Sequence, residues 1–543
     1  VKIMAQTKKE TGGKLDVKQL LARREAAWVI KDKWRVIYEE AYELVMPGLN
    51  PYASDKNAPK PMNRQFDSTA VKSATRLANR LLTELTPPDQ NWLELKTGPA
   101  LDLQLGEDKA AAEQINRQLS GISTLANMVV NQGEMVDARG AALLDLVIAG
   151  TGVLLDLEDM GSDTNPMISQ CVSQAEIAVV TDARGRDVEF YRNRDGMKIR
   201  DIEGLWPDAT MTQELTDLLG KAKDGEDPEV QLAEVTYWGG VKDPRWYYEI
   251  LHITGKGKTA DKIVERVYDI CPWTILRWLR LQGVPYGPGP VLISMADIRT
   301  ANKIVEMVLK NASIALAGMY LVRDDGVLNP DNIMIAPGAL IPVAATGGSV
   351  GASMVPLDAP RSFDISQLVL ENFQKRIRAG LYDDSLPEVS GNPRSATEII
   401  NRVRELTQDI GGAIGRLTSD TVQYGRKVVD ILVRQGFIPY RVEIDQFTLK
   451  MQINSPLANA QQMREVQTVI QWLETVIGLG GPQLATVVAR LPEIAVWAAD
   501  RMGVPAILIP TAEERQKAQQ EMAQLAAAQA QQQAGGAPMQ QAA

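Results

Sequence analysis

The chain has 543 residues, 45% of them hydrophobic, with Lys+Arg 58 against Asp+Glu 68 for a net charge of −10. That length exceeds what one hydrophobic core serves, so several domains are expected. The acidic balance excludes a protein whose main task is gripping phosphate, while leaving room for a local basic stripe. Two cysteines, Cys171 and Cys271, give neither a disulfide framework nor a cysteine-based zinc site, and suit a reducing compartment.

Residues 1–15 are Lys-rich, but no apolar run follows them. The most apolar span, 141–157, is interrupted by Asp145, Gly150, Gly152 and Asp156. It is too short and polar to cross a bilayer, so a soluble protein without membrane insertion is expected. Residues 15–46 predict a long helix with a stripe of Leu20, Leu21, Trp28, Trp34, Ile37, Tyr38, Ala41 and Val45, ended by Pro47-Gly48. Asp67-Ser68 offers a cap for a helix over 69–85, where Leu77, Leu81 and Leu85 recur every four residues before Pro87-Pro88. A short strand over 92–95 and helices over 108–131 and 134–149 follow, then a strand over 153–157 after Ala149-Gly150-Thr151-Gly152.

Residues 165–270 read as mostly β. The turn Asp182-Ala183-Arg184-Gly185 separates strands at 177–180 and 188–191, a helix covers 211–219, and 230–238 and 246–253 alternate like paired strands. Gly255-Lys256-Gly257-Lys258-Thr259 ends like a phosphate-binding loop. Such a loop needs a further glycine where His252 stands and an apolar helix after it, so a solvated hairpin tip is the reading. His252 is the only histidine, and inside an alternating strand it reads as a packing or surface residue. Asp383-Asp384 is a lone acidic pair, short of the converging carboxylates that metal-dependent nuclease chemistry needs. No catalytic residue, metal site or cofactor is assigned.

The stretch 286–435 has an unusual order of elements. After Tyr286-Gly287-Pro288-Gly289-Pro290 comes a helix whose Ala301, Ile304, Val305, Val308 and Ala312 share one face. Residues 317–360 break into short β-like runs (319–322, 333–335 and 340–343) among Gly and Pro. A second helix carries Ile365, Val369, Phe373, Ile377 and Leu381 at four-residue intervals. A polar loop, 383–394, precedes the capping box Ser395-Ala396-Thr397-Glu398, which opens a helix reaching Gln435. Such a helix would be roughly 60 Å long. Gly411, Gly412 and Gly415 in its middle each cost about 1 kcal/mol relative to Ala, which suggests a kink or a close backbone contact. Beyond it, 441–453 alternates as a strand pair or bulged strand, Ser455-Pro456 caps further helices, and the Ala/Gln-rich end reads as disordered from 529.

This order resembles the portal, or head-to-tail connector, proteins of short-tailed, T7-like bacteriophages. Three patches carry the likeness: Asp67, Ala70, Leu77-Ala78, Leu82, Leu85, Pro87-Pro88 and Trp92; the turn Ala149-Gly150-Thr151-Gly152; and Cys271-Pro272-Trp273 with Arg277-Trp278 and Tyr286-Gly287. The resemblance implies an α+β, predominantly helical portal-type fold assembling into a ring of twelve. Its parts would be a wing (1–289), a first stem helix (290–315), a clip (316–361), a second stem helix (362–382) and a tunnel loop (383–394). A long kinked wing helix with strands (395–456), a crown (457–528) and a disordered tail (529–543) would complete it.

It further implies a structural, non-enzymatic protein at one capsid vertex of a virion assembled in the bacterial cytoplasm. Double-stranded DNA would pass through it without sequence specificity. The implied partners are the major capsid protein, the terminase, tail adaptor and tail proteins, and internal core or scaffolding proteins. Another virion component (a tail adaptor or core protein) or a packaging enzyme are the alternatives. Carried onto this sequence, the tunnel loop holds Asp383, Asp384, Glu388, Asn392 and Arg394. The stem charges Arg299, Lys303, Lys310, Lys375, Arg376 and Arg378 are either solvent-facing or, repeated around a ring, a lining for its channel.

Overall fold

The computed structural model describes residues 14–52, 65–105, 109–159, 165–223, 228–257, 259–281, 283–317, 320–322, 354–356, 363–383, 396–442, 444–454 and 456–501. Helix α1 (Val17–Val45) opens it and α2 (Thr69–Leu85) follows with the predicted bounds. Strand β1 (Leu93–Thr97) leads into α3 (Pro99–Leu105), α4 (Lys109–Val130) and α5 (Gly133–Ala149). Strands β2 (Thr151–Glu158), β3 (Met167–Cys171), β4 (Ile177–Thr181) and β5 (Asp187–Lys198) come next, then α6 (Ile199–Leu205) and α7 (Gln213–Lys223). Strands β6 (Glu229–Trp238), β7 (Trp246–Thr254), β8 (Thr259–Tyr268) and β9 (Trp273–Arg277) complete the β-rich part.

The stretch singled out above begins with α8 (Pro290–Ile293) and α9 (Met295–Ala317). Two three-residue strands, β10 (Tyr320–Val322) and β11 (Met354–Pro356), pair antiparallel between α9 and α10 (Phe363–Gly380). The predicted strands at 333–335 and 340–343 lie outside the described residues. Helix α11 (Ala396–Arg434) is the longest, followed by β12 (Leu449–Ile453), α12 (Pro456–Val488) and α13 (Leu491–Arg501). In α12 the helical path breaks at Gly481, whose φ of +75° lies in the left-handed region.

Three buried clusters organise the molecule. The largest joins α2, α4 and α5 to α11 and to the β1–β12 pair, with Leu77, Leu146, Leu417 and Leu432 inside. The second lies between the three-stranded sheet β3-β2-β9 and the five-stranded antiparallel sheet β4-β5-β6-β7-β8, capped by α6 and α7. The third sits on the opposite face of the larger sheet, where Leu20 and Ala27 of α1 cover Tyr191, Val235 and Leu251. Period-two alternation sends Leu232 to one cluster and Ala233 to the other, so this sheet is buried on both faces.

Two expectations are corrected. Residues 441, 442 and 444–448 are not strand: Asp445 Oδ1 accepts the amides of Phe447 (2.9 Å) and Thr448 (2.6 Å), a local turn that competes with the ladder and leaves β12 as the strand among the described residues. The stripe expected along α1 is also redrawn, since the buried residues are Leu20, Ala27, Lys31, Tyr38, Ala41, Tyr42 and Val45, and Ile37 lies outside.

Candidate functional site: the junction of the paired helices with the long helix

Helices α9 and α10 leave the body side by side, and their base is held by polar contacts from α1 and α2. Ahead of α2, Asn302 Oδ1 on α9 accepts the amides of Phe66 (2.7 Å) and Asp67 (3.1 Å). The Asp67 carboxylate accepts from Thr69 Oγ1 (3.0 Å) and from Gln374 Nε2 on α10 (3.1 Å). One aspartate thus ties the first residue of α2 to the second paired helix. Between them, Ile298 and Ala301 of α9, Ile377 of α10 and Leu381 just after it are buried.

The approach to this base is built from glycines. Gly150 has a φ of +80°, and a Cβ there would fall 2.2 Å from Gly287 O and 2.4 Å from Gly289 N. The turn after α5 and the Tyr286-Gly287-Pro288-Gly289 segment therefore pack backbone against backbone, which any side chain would forbid. Tyr286 Oη accepts the Val179 amide (3.0 Å), fastening the same segment to β4.

Of the six basic residues expected along the pair, all are exposed, and four face an acid of this chain. Arg299 pairs with Glu40 of α1, Arg376 with Asp297 (2.9 Å), and Lys303 (2.9 Å) and Lys310 (2.6 Å) share Glu306. Hydrogen bonds from those two lysines hold the Glu306 carboxyl down to about 2. Lys375 and Arg378 are exposed on α10.

Of the five loop residues expected, Asp383 is described, and Asp384, Glu388, Asn392 and Arg394 lie outside the described residues. Asp383 is fixed: its carboxylate accepts from Ser73 Oγ (2.7 Å) and Arg76 Nη1 (3.3 Å) of α2. Before it Tyr382 takes the left-handed conformation (φ +54°) with its ring 5.8 Å from Trp278. Arg416 of α11 donates to Trp278 O (2.8 Å), so the end of α10 and the long helix meet at one tryptophan.

Helix α11 runs unbroken past Gly411, Gly412 and Gly415. A Cβ at any of the three would meet nothing within 4 Å, so the close contact they suggested is not made among the described residues. Further along, the buried Lys427 donates to the Asp156 carboxylate, the Thr274 hydroxyl and Pro272 O (3.1 Å). Ser169 Oγ completes the shell on Asp156 (2.7 Å). Sequence reasoning missed this lysine, and also Lys31 and Arg139. Their signal is position: each falls on the apolar face of its helix, where a charge needs an internal partner. Lys31 donates to Gln174 Oε1 (2.7 Å) beneath the rings of Tyr286 (4.3 Å) and Tyr38 (4.8 Å), and burial pushes its ammonium down to about 7.

The motif-like loop at 255–259 is the turn between β7 and β8, with Thr254 opposite Thr259. His252 is buried in β7. Among the described residues no cluster of three or more His, Cys, Asp or Glu is placed to hold a metal, and no helix is long and apolar enough to cross a membrane.

The site is thus a junction of a sheet-flanked helical body, a braced helix pair and a long helix tied to the sheet by Lys427. Residues 17–509 match the family model for the bacteriophage head to tail connecting protein, and the chain belongs to that family. It is similar to the portal protein of Escherichia phage T7, 23% identical over 388 residues covering 70% of this chain and 67% of the relative. It is also similar to that of Enterobacteria phage T3, 21% identical over 402 residues (70% and 68%). A chain from the virion of a native gene transfer agent particle aligns over 76% of this chain and 90% of its own, at 10% identity and a TM-score of 0.34, too distant to define a fold.

Proposed function

We propose that the chain is the portal subunit of a bacteriophage head: a structural protein, not an enzyme, forming a ring at one capsid vertex through which DNA is packaged, retained and released. The observation that carries the reading is the family match along 17–509 together with the two portal relatives. The braced pair α9–α10 supports it physically, because a channel wall must be stiff, and polar ties from α1 and α2 supply that stiffness at the base.

In this reading 290–315 and 362–382 are the stem, 316–361 the clip, 383–394 the tunnel loop and 457–528 the crown. Residues 1–289 and 395–456 make the wing. Lys375 and Arg378 are the stem charges best placed to face DNA, since the other four already meet acids. Gly411, Gly412 and Gly415 leave α11 room for a neighbouring subunit or a bend in the ring. The partners are further copies of the chain (twelve in the ring), the capsid, terminase and tail proteins, and DNA held without base readout.

Negative-stain electron microscopy of the purified protein, with mass photometry of the same sample, tests this. Channelled rings of about twelve subunits are expected. A solid assembly without a bore, or a monomer under every condition, would point to a tail adaptor or internal core protein.

A further inference from the structure

Helix α1 is apolar on two opposite faces, and among the described residues only one of them is buried. Leu20, Ala27, Lys31, Tyr38, Tyr42 and Val45 turn inward. On the other side Ala22, Ala26, Val29, Lys33, Val36 and Glu40 recur every three or four residues, with Ile30 and Ile37 beside them. The four large aliphatics on that side are open to solvent: Val29 58%, Ile30 42%, Val36 72% and Ile37 46%. Exposed helix positions are normally filled by Lys, Glu, Gln or Arg, and β-branched residues there lower helix propensity without packing in return. Apart from Glu40, which pairs with Arg299, the side chains of this face make no polar tie among the described residues, and its four large aliphatics stay open to solvent.

We infer that the outer face of α1 is a contact surface between copies of this chain, on which a different surface of the neighbouring subunit packs. The inference rests on the ring reading above and names part of the interface that closes it. Three features favour a second copy over DNA or a charged partner. The face carries one base and one acid, Lys33 and Glu40, and Glu40 is already paired with Arg299. Its flank carries more acids than bases, with Glu25, Asp32 and Glu39 and the cleft's Glu176 and Asp195 against Lys31, Arg35 and the half-buried Arg24, so no field there attracts a polyanion. An apolar centre with a polar rim is the anatomy of a protein–protein interface.

The size also fits. From Ala22 to Glu40 the face runs about 27 Å along the helix. On its flank opens a cleft of about 860 Å³ bounded by Trp28, Lys31, Arg35, Tyr52, Glu176 and Asn193. Ala22 belongs to both, so the helix face and the cleft adjoin, and a stable interface takes roughly 800 Å² per partner. A ring needs heterologous contacts, in which a groove on one subunit receives a different part of the next.

The test uses the full chain with Val29→Cys or Val36→Cys, labelled by a maleimide as monomer and as assembled ring, with the native chain as background for Cys171 and Cys271. Labelling should slow by at least about tenfold in rings. In parallel the pair Val29→Glu and Val36→Glu should leave a folded monomer with native circular dichroism but no rings. Unchanged labelling in rings, or rings from the glutamate variant equal to native, overturns the α1 contact and leaves the portal reading standing. A native chain that never assembles overturns both.

Discussion

Lys427 on α11 donates to Asp156 on β2 in the buried interior, joining the long helix to the sheet that follows α5. Both side chains are almost fully shielded from solvent (4% and 0% exposed), so each charge depends on the other and on the Thr274, Ser169 and Pro272 groups around them. Breaking a buried pair from one side leaves the other charge without compensation and typically costs about 3–5 kcal/mol. Lys427→Met should therefore lower stability by that order in thermal or denaturant melting. The double variant with Asp156→Asn should recover most of the loss, because no charge is then stranded. Equal losses in the single and double variants would mean that the two groups do not act as a pair.

Two buried groups of opposite charge, Lys31 hydrogen-bonded to Gln174 and Asp145 to Tyr42, make stability depend on pH in two separate windows. Burial pushes Lys31 from 10.5 down to about 7. The unfolded chain therefore holds that proton where the folded chain has lost it, and stability rises from about pH 7 toward 10.5. Burial also pushes Asp145 from 3.8 up to about 6, against the opposing hydrogen bonds from Tyr42 and Cys171 and the charge of Lys31. The folded carboxyl binds its proton more tightly, so this contribution is present below pH 4 and lost as pH rises through 6. Lys31→Met should flatten the alkaline slope and raise the melting temperature at pH 7 by a few degrees, while Asp145→Asn should flatten the acid slope. Melting curves from pH 4 to 10 that keep both slopes in the variants would contradict the assignment.

Local chemistry made the bounds of α2 legible, with Asp67-Ser68 before it and Pro87-Pro88 after it, although Ser68 makes no side-chain capping hydrogen bond and Asp67 bonds the Thr69 hydroxyl instead. The paired strands β6 and β7 were legible for the same reason, their alternation matching a sheet with two buried faces. Strand β8 was hidden because Thr259-Ala260-Asp261-Lys262 is polar, being an edge strand of the five-stranded sheet. Helices α3 and α6 are seven residues each, too short for periodicity to register. At the junction, the stem charges were visible as residue types. Their partners Glu40, Asp297 and Glu306 were not assigned, and Glu40 lies 259 positions from Arg299, a separation that only folding closes. Ile37 was assigned inward because the sequence cannot say which apolar face of α1 its own chain will use.

The glycines of α11 offer a test that separates the subunit from its assembly. Gly412 and Gly415 are exposed, helical and without a neighbour that a methyl group would strike. Gly412→Ala and Gly415→Ala should each stabilise the isolated chain by about 1 kcal/mol in thermal melting. If the same variants, or Gly412→Leu, then assemble poorly, the glycines serve a contact or bend that exists only in the ring. Stabilised chains with native assembly would show that the glycines serve neither.

Asp383 is the last described residue after α10, and its carboxylate is the point where that end is tied to α2. The tie is partly sheltered, since the Asp383 side chain is 8% exposed while Arg76 is open to solvent. The Ser73 hydroxyl, donating at 2.7 Å to a carboxylate, is therefore the stronger half. Removing it with Asp383→Ala should cost about 1–2 kcal/mol locally, the order of a lost hydrogen bond to a charged group. The effect should appear where the helix ends. Hydrogen exchange at Leu381, whose amide donates to Ile377 O (2.9 Å), should accelerate by about tenfold, with little change in α5. Asp383→Asn keeps an acceptor for Ser73 and should fall between the two. Exchange at Leu381 equal to native in Asp383→Ala would show that the Trp278–Tyr382 contact holds this end without the carboxylate.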